Sequence, residues 1–393
     1  MISVEEALEK VFALASPLPV EDIPLAEAAG RVLAQPVAAR RDQPPFDASA
    51  MDGYAVVGDA APGTRFRVTG ISSAGHGFDG RIAAGEAVRI FTGAPVPEGA
   101  DRVIIQEDVD TLAPDHIILR AKLDGSRHIR PKGQDFLAGA EISPRLLRPA
   151  DLALLAAMNI ARLPVHRRAQ VALIATGDEL VMPGETPGPS QIIASNCFAL
   201  KAMVEAAGGI ARLLPIARDN EADLGTVLRL AADADLVVTI GGASVGDHDI
   251  VAKVAGELGL ERSFYKIAMR PGKPLMAGRI FGVPMLGLPG NPVSAIVCGH
   301  LFLIPLLRAL NGLPATAPIR HRAILAEDVG PAGPRAHYMR ACLDQGDTLP
   351  RITPFPRQDS SLLSILDKAD ALLIRPRDDG PLRAGAEVEY HRI

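Results

Sequence analysis

Residues 235–249 read DLVVTIGGASVGDHD. The five residues from Leu236 to Ile240 are rich in β-branched side chains and carry no charge. That is the composition of a central strand buried on both faces. The run then breaks at Gly241-Gly242 into a loop of small residues that includes Ser244, Gly246, Asp247 and Asp249. A loop opening at the carboxyl end of a parallel strand is where open α/β sheets bind ligands. Glycines there let backbone N–H groups approach an anion, and acidic side chains can hold a metal or orient a proton. One such loop is a weak signal, so the four neighbouring strand ends decide the matter.

From Val171 onward the pattern alternates strand and helix. Strands are expected over 171–175, 211–216, 235–240, 263–268 and 283–287, with a strand-plus-turn over 273–280. Helices are expected over 195–207, 221–232, 249–258 and 292–310. This is a doubly wound α/β domain. Its other strand ends carry Thr176-Gly177-Asp178-Glu179, Arg218-Asp219-Asn220, Lys266 with Arg270-Pro271-Gly272-Lys273, and Leu288-Pro289-Gly290-Asn291-Pro292. Five such loops describe one polar crevice. Gly241, Gly242, Ser244, Pro289, Gly290, Asn291 and Pro292 are expected to bind the ligand, with free N–H groups where a helix begins at Pro292. Lys266, Arg270 and Lys273 suit phosphate or another oxyanion. Glu179 and Asp249 suit Mg²⁺, which takes a few carboxylates plus phosphate oxygens. There is no GxxxxGK[ST] and no GxGxxG after a strand, so neither a P-loop NTPase nor a dinucleotide enzyme is indicated.

Toward the N-terminus, Ser3 and Glu6 form a capping box, and Val4, Ala7, Leu8, Val11 and Phe12 make one apolar helix face. A short helix is expected over 24–29, ending at Gly30. Residues 41–61, RDQPPFDASAMDGYAVVGDAA, contain Asp47, Ser49, Asp52 and Tyr54 in a stretch too polar and rich in small residues for a core strand. A surface loop with local turns is one reading. The apolar neighbours Met51, Tyr54 and Val56 around Asp52 favour a functional one. Residues 62–148 alternate short strand-like runs with turns, the strands falling at 65–71, 87–91, 102–107 and 116–121. In the loop IRPKGQDF, 129–136, Arg130, Lys132 and Asp135 surround Gly133. That set suits an anion with a metal, or a solvated turn, equally well. A helix is expected over 149–159 and a basic connector over 161–170.

Residues 318–393 look β-rich, with a short helix over 360–368 and strands over 371–375 and 386–390, and read as a packing or assembly domain. The net charge of -5 gives no reason to expect nucleic acid or an anionic membrane as partner. Cys197, Cys298 and Cys342 lie far apart without a CxxC pair, which favours buried thiols in a reducing cytoplasm over disulfides or zinc. The opening MISVEEALEK is acidic and amphipathic, unlike a signal peptide. The apolar tract 293–310 is interrupted by His300, Pro305 and Arg308, which suits a buried helix better than a membrane span.

Seven stretches in this order, FDASAMDGYAV, FTGAPVPEGAD, IRPKGQD, ATGDEL, GGASVGDHD, KIAMRPGKP and GLPGNPVSA, resemble the molybdopterin molybdenumtransferase family, whose relatives include the C-terminal domain of gephyrin. The resemblance spans nearly the whole chain. It implies an elongated N-terminal region (1–61 and 140–170), an inserted small β domain (62–139), an α/β molybdopterin-binding domain (171–316) and a C-terminal β-barrel-like domain (317–393). It implies an enzyme that takes adenylylated molybdopterin and molybdate, uses Mg²⁺, inserts molybdenum at the dithiolene and releases AMP. It further implies a cytoplasmic homodimer with sites shared between subunits, and contact with the molybdopterin adenylyltransferase. Carried onto matching positions, Asp52, Thr92 and Asp135 are functional residues of the N-terminal part. Glu179, Asp219, Asp249, Lys266, Arg270, Pro289 and Pro292 are those of the α/β domain. Arg270 stands where the family often has Lys, which keeps the charge but changes its geometry. The segment IIASN lacks the Asp that often precedes Ser-Asn.

Two other classes compete. A nucleotidyltransferase that adenylylates molybdopterin would need only the α/β domain, and the Met51–Tyr54 region and the C-terminal β domain argue against it. A scaffold without turnover is opposed by the intact Asp52, Glu179 and Asp249.

Overall fold

A computed structural model describes residues 1–58, 60–242, 250–346 and 348–393. The chain divides into two compact units. One comprises Met1–Glu21, Gly30–Ala34 and Val165–Ile393, the other Asp22–Ala29 and Gln35–Pro164.

In the first unit Leu236–Ile240 is a strand buried at every position. It lies between Gln170–Ala175 and Val283–Leu288 and is parallel to both. Side chains of a strand alternate between faces. Leu236, Val238 and Ile240 enter one apolar cluster and Val237 enters another. This burial on both faces explains a run without polar alternation, at roughly 1.5–3 kcal/mol for each fully buried Val, Leu or Ile. The six-stranded sheet runs Ile210–Leu213, Gln170–Ala175, Leu236–Ile240, Val283–Leu288, Met276–Ile280, Glu261–Tyr265. The first four strands are mutually parallel, and the last two add an antiparallel edge. Helices Asn196–Ala206, Glu221–Arg229 and Ile250–Glu257 follow the expected order.

The capping box at Ser3 and Glu6 is formed, and Val4, Ala7, Leu8 and Val11 of helix Val4–Phe12 are buried in the cluster that takes Leu236. The tract expected as a core helix runs over Pro292–Leu310; it is long and apolar enough to cross a membrane, yet 78% of its apolar window is buried inside the protein. Its middle, Gly299–Leu303, is π-helical. Pro305 has no N–H to give to the Leu301 carbonyl, which accounts for the widened turn just before it. Cys197 and Cys298 are buried, Cys342 is half-buried, and all three are free thiols.

The C-terminal part is a closed ring of five strands, Ala336–Asp344, Arg351–Pro354, His321–Leu325, Glu387–Arg392 and Ala371–Arg375, the last pairing back to the first. Met269–Arg270 adds a short parallel strand to Ala336–Asp344. The helix expected over 360–368 shrinks to the single turn Leu363–Leu366.

In the second unit a six-stranded sheet runs Arg102–Ile105, Gly53–Val56, Glu86–Ile90, Arg65–Ser72, His116–Leu119, Val109–Ala113. The stretch judged too polar for a core strand therefore supplies a central one. Gly53 makes this possible: a Cβ there would stand 1.9 Å from the Ile104 carbonyl oxygen, so only glycine fits beside that strand. Ala55 and Val56 are fully buried. Helix Pro149–Ala157 forms as expected. The supposed connector 161–170 instead contains the strand Arg162–His166. Leu163 and Val165 are fully buried between more exposed neighbours, a period of two that the basic residues had masked. The helix expected over 24–29 is a single 3-10 turn, Leu25–Glu27.

Candidate active site

The carboxyl ends of the parallel strands make one stitched edge. The Thr176 N–H donates to the Ile240 carbonyl, the Gly177 N–H to Ala217 and the Gly241 N–H to Leu288, each at 3.0 Å. That edge opens into a crevice of about 1120 Å³. Glu179, Asp219, Gly241 and Gly242 line it from one side of the sequence, and Pro289, Gly290, Asn291 and Pro292 from the other. Ser244 and Asp249 lie outside the described residues.

Glu179 is placed by backbone. Gly177 has φ +146°, and a Cβ on it would lie 2.2 Å from Glu179 Oε2. The carboxylate thus folds back over Gly177, a position no other residue leaves open. Asp219 is tied to the neighbouring loop through main chain: its N–H donates to Asp178 Oδ1 at 3.1 Å. Arg218 donates to the Asp178 and Leu180 carbonyls, fixing the same turn. Among the described residues no group of three or more His, Cys, Asp and Glu gathers as a metal cage. Two exposed carboxylates, Glu179 and Asp219, nevertheless open on one crevice. That donor set fits Mg²⁺, which is held by one or two carboxylates with waters and substrate phosphates.

The three expected cations do not line the crevice. Lys266 follows Glu261–Tyr265, the outer strand of the antiparallel edge, and its ammonium lies 4.8 Å from the Tyr265 ring centroid. Arg270 is drawn off by its pairing with the C-terminal ring, opposite His337. It lines a separate cavity of about 600 Å³ with His337, Phe355 and Arg375. The Lys273 carbonyl accepts from the Ile267 N–H, which closes the intervening loop on itself. Thr176 lines the crevice with the strand end that carries it, and sequence reasoning assigned no role to four further lining residues, Asn196, Glu221, Lys253 and Ser361. Asn196 donates to the Gly290 carbonyl at 2.7 Å, bracing the Gly290 turn. Its place next to Ser195 at a helix start was a usable signal, whereas Lys253 and Ser361 sit in stretches without one.

The second unit carries the other expected residues. Asp52 Oδ1 accepts from the Thr92 N–H at 2.7 Å and from the Thr92 hydroxyl at 2.8 Å. These two donors, the N–H first, hold the Asp52 carboxyl below its ordinary range, and the Arg89 charge adds to them. Arg89, also missed, is packed with its guanidinium 4.9 Å from the Tyr54 ring centroid and 5.0 Å from that of Phe91. It donates to the Gly53 carbonyl and to Gln106, whose own N–H donates to the Asp52 carbonyl. The loop 129–136 joins the same region, Ile129–Arg130 pairing with Ala48–Ser49. Lys132 is engaged with Asp42 at 3.2 Å and its N–H with Asp47, so the loop is in part a salt-bridged turn. Asp135 lies on that turn, anchored by its N–H to the Gln43 carbonyl, with its side chain exposed.

Comparison with known proteins bears on all three sequence regions. Residues 2–159 match the family described as MoeA N-terminal region (domain I and II). Residues 172–309 match "Probable molybdopterin binding domain", and 322–393 match MoeA C-terminal region (domain IV). Molybdopterin molybdenumtransferase 2 of Mycobacterium tuberculosis is 37% identical over 93% of this chain and 93% of its own. The chain belongs to the molybdopterin molybdenumtransferase family. It is therefore a transferase of molybdenum cofactor biosynthesis. The molybdopterin molybdenumtransferase of Haemophilus influenzae is 35% identical over 99% of this chain and 98% of its own. A solved structure of the molybdopterin biosynthesis moea protein from Pyrococcus horikosii is 32% identical and superposes with a TM-score of 0.84 over 100% of this chain and 99% of that one.

Proposed function

We propose that the crevice takes adenylylated molybdopterin with molybdate and Mg²⁺, inserts molybdenum at the dithiolene and releases AMP. The observation that carries this reading is the convergence of Glu179, Asp219 and the turn 289–292 on one crevice. Its size suits a ligand of nucleotide class or larger. Glu179 and Asp219 would hold the divalent ion, which when bound supplies positive charge at the phosphate oxygens. Asn196 keeps the Gly290 turn open toward the ligand. Asp52, fixed on one oxygen by Thr92 and with no hydrogen bond to the other among the described residues, is suited to orient a water or oxyanion nucleophile. In a two-fold homodimer, Asp52 of one chain would serve the crevice of its partner, giving two equivalent sites. The chain would work in the cytoplasm, beside the molybdopterin adenylyltransferase that makes its substrate.

The test mixes purified protein with adenylylated molybdopterin, Mg²⁺ and molybdate. Molybdate-dependent AMP release with formation of active cofactor is expected. ATP consumption in the presence of free molybdopterin would instead favour an adenylylating enzyme.

A further inference from the structure

An anionic substrate meets a crevice whose described lining carries three carboxylates, Glu179, Asp219 and Glu221, and one cation, Lys253. Lys266, Arg270 and Lys273 are not among the described lining residues, although Pro274 beside Lys273 is, so Lys253 is the one side-chain positive charge in that described lining. It projects from helix Ile250–Glu257, the helix that follows the glycine strand end. Its ammonium is paired with Glu221, the first residue of helix Glu221–Arg229. Both side chains are more than half exposed, at 57% and 53%. An exposed pair of this kind is weakly held, because water screens both charges. The two partners are unequal once separated. Glu221 stays in the first turn of a nine-residue helix, where the backbone N–H groups stabilise a negative charge without any lysine. Lys253 feels, beyond Glu221, only the more distant charge of Glu257 one turn on in its own helix, and its flexible stem can carry the ammonium to another anion in the crevice.

We infer that Lys253 is the phosphate-binding cation of this crevice and that Glu221 holds it until an anionic ligand displaces the carboxylate. The inference rests on the proposed reading of the crevice as the site of an adenylylated substrate. It assigns the adenylate phosphate as the group that takes the ammonium, with Glu221 as a competitor rather than a ligand.

The two partners of one ion pair should then act in opposite directions. Calorimetric titration of the full-length protein with AMP in the presence of Mg²⁺ provides the readout. Lys253→Met is expected to weaken AMP binding about tenfold, as loss of a charge-assisted hydrogen bond does. Lys253→Arg should recover part of that loss. Glu221→Gln is expected to tighten binding about two- to fivefold, because the ammonium no longer has to leave a carboxylate. Melting temperatures should stay close to wild type in all three. AMP binding unchanged in Lys253→Met, or weakened equally in Glu221→Gln, would overturn the inference while leaving the crevice as the site. No AMP binding by the wild-type protein would overturn the reading of the crevice and the inference together.

Discussion

The strand-end crevice and the Asp52 face place their carboxylates by opposite means. Glu179 and Asp219 are set by main chain: a glycine that leaves room for one, and a backbone N–H that ties down the turn of the other. Neither position depends on a side-chain donor; Asp219 Oδ2 accepts from the Asp178 N–H at 3.4 Å, while the Glu179 carboxylate oxygens accept no hydrogen bond among the described residues and are the more available to a metal or a ligand. Asp52 is held by its side chain, one oxygen taken by two Thr92 donors, above a floor of Arg89, Tyr54 and Gln106. A carboxylate bonded in this way is kept ionised and aimed, at the expense of half its coordinating capacity. The contrast matches the duties proposed above, with the crevice receiving the ligand and Asp52 orienting a nucleophile.

Breaking the Asp52 side should give the largest effect. Asp52→Asn keeps the shape and two of the contacts but removes the charge, and AMP release is expected to fall about 10²-fold or more with little change in melting temperature. Near-normal turnover would show that geometry alone suffices there. On the crevice side, Gly177→Ala forces the Glu179 carboxylate from its place. AMP release should drop about tenfold or more, with a stability cost of about 1–3 kcal/mol for a non-glycine residue at that φ. Activity retained at limiting Mg²⁺ would mean that Glu179 need not lie over Gly177.

A smaller change sharpens the same contrast. Thr92→Val removes the hydroxyl donor and leaves the backbone N–H. The lost bond favoured the ionised form, so the Asp52 carboxyl should rise in pKa. The acid limb of the pH–rate profile should move to higher pH, with a loss of only several-fold near neutrality. An unmoved acid limb would sever Asp52 from that limb.

Above about pH 4 stability should report mainly on buried histidines elsewhere, of which His300 and His337 are shifted most and His391 is lowered by burial as well. Burial holds His300 at about 4, with the nearby His391 adding to the effect. Burial also holds His337 at about 4, with Arg270 the largest of several opposing charges. Both values lie below that of an unfolded histidine, so between about pH 6.5 and pH 4 the unfolded chain binds more protons. Stability should therefore fall as the pH drops through that window, and His337→Gln should flatten part of the fall. A melting temperature independent of pH over that range would contradict the burial of both rings.

Much of the α/β core was legible because its strands are short apolar runs closed by glycines, and two-sided burial leaves few other options for LVVTI. The crevice walls were legible for the same reason: a residue just past a parallel strand end has little freedom in where it goes. The cations were not placed by the same logic: Lys266 and Arg270 also follow a strand, but it belongs to an antiparallel edge, and Arg270 enters a two-residue pairing with the C-terminal ring, so neither is among the described lining residues. Such long-range pairings leave no local pattern. Gly53–Val56 was hidden for a related reason, since its glycine and polar flanks look like a loop until Ile104 is placed beside them. Lys253 had no signal, being one lysine on an ordinary amphipathic helix.

The joint duty of the two regions can be tested with mixed dimers. One chain carries Asp52→Asn, the other Glu179→Gln, each inactive as a homodimer, and the hybrid is purified through two different tags. With sites shared across a two-fold axis, one site holds both lesions and the other none, so the hybrid should retain about half of wild-type AMP release per dimer. A stable hybrid with no activity would mean that each site is built within one chain and would contradict the service of Asp52 to its partner's crevice.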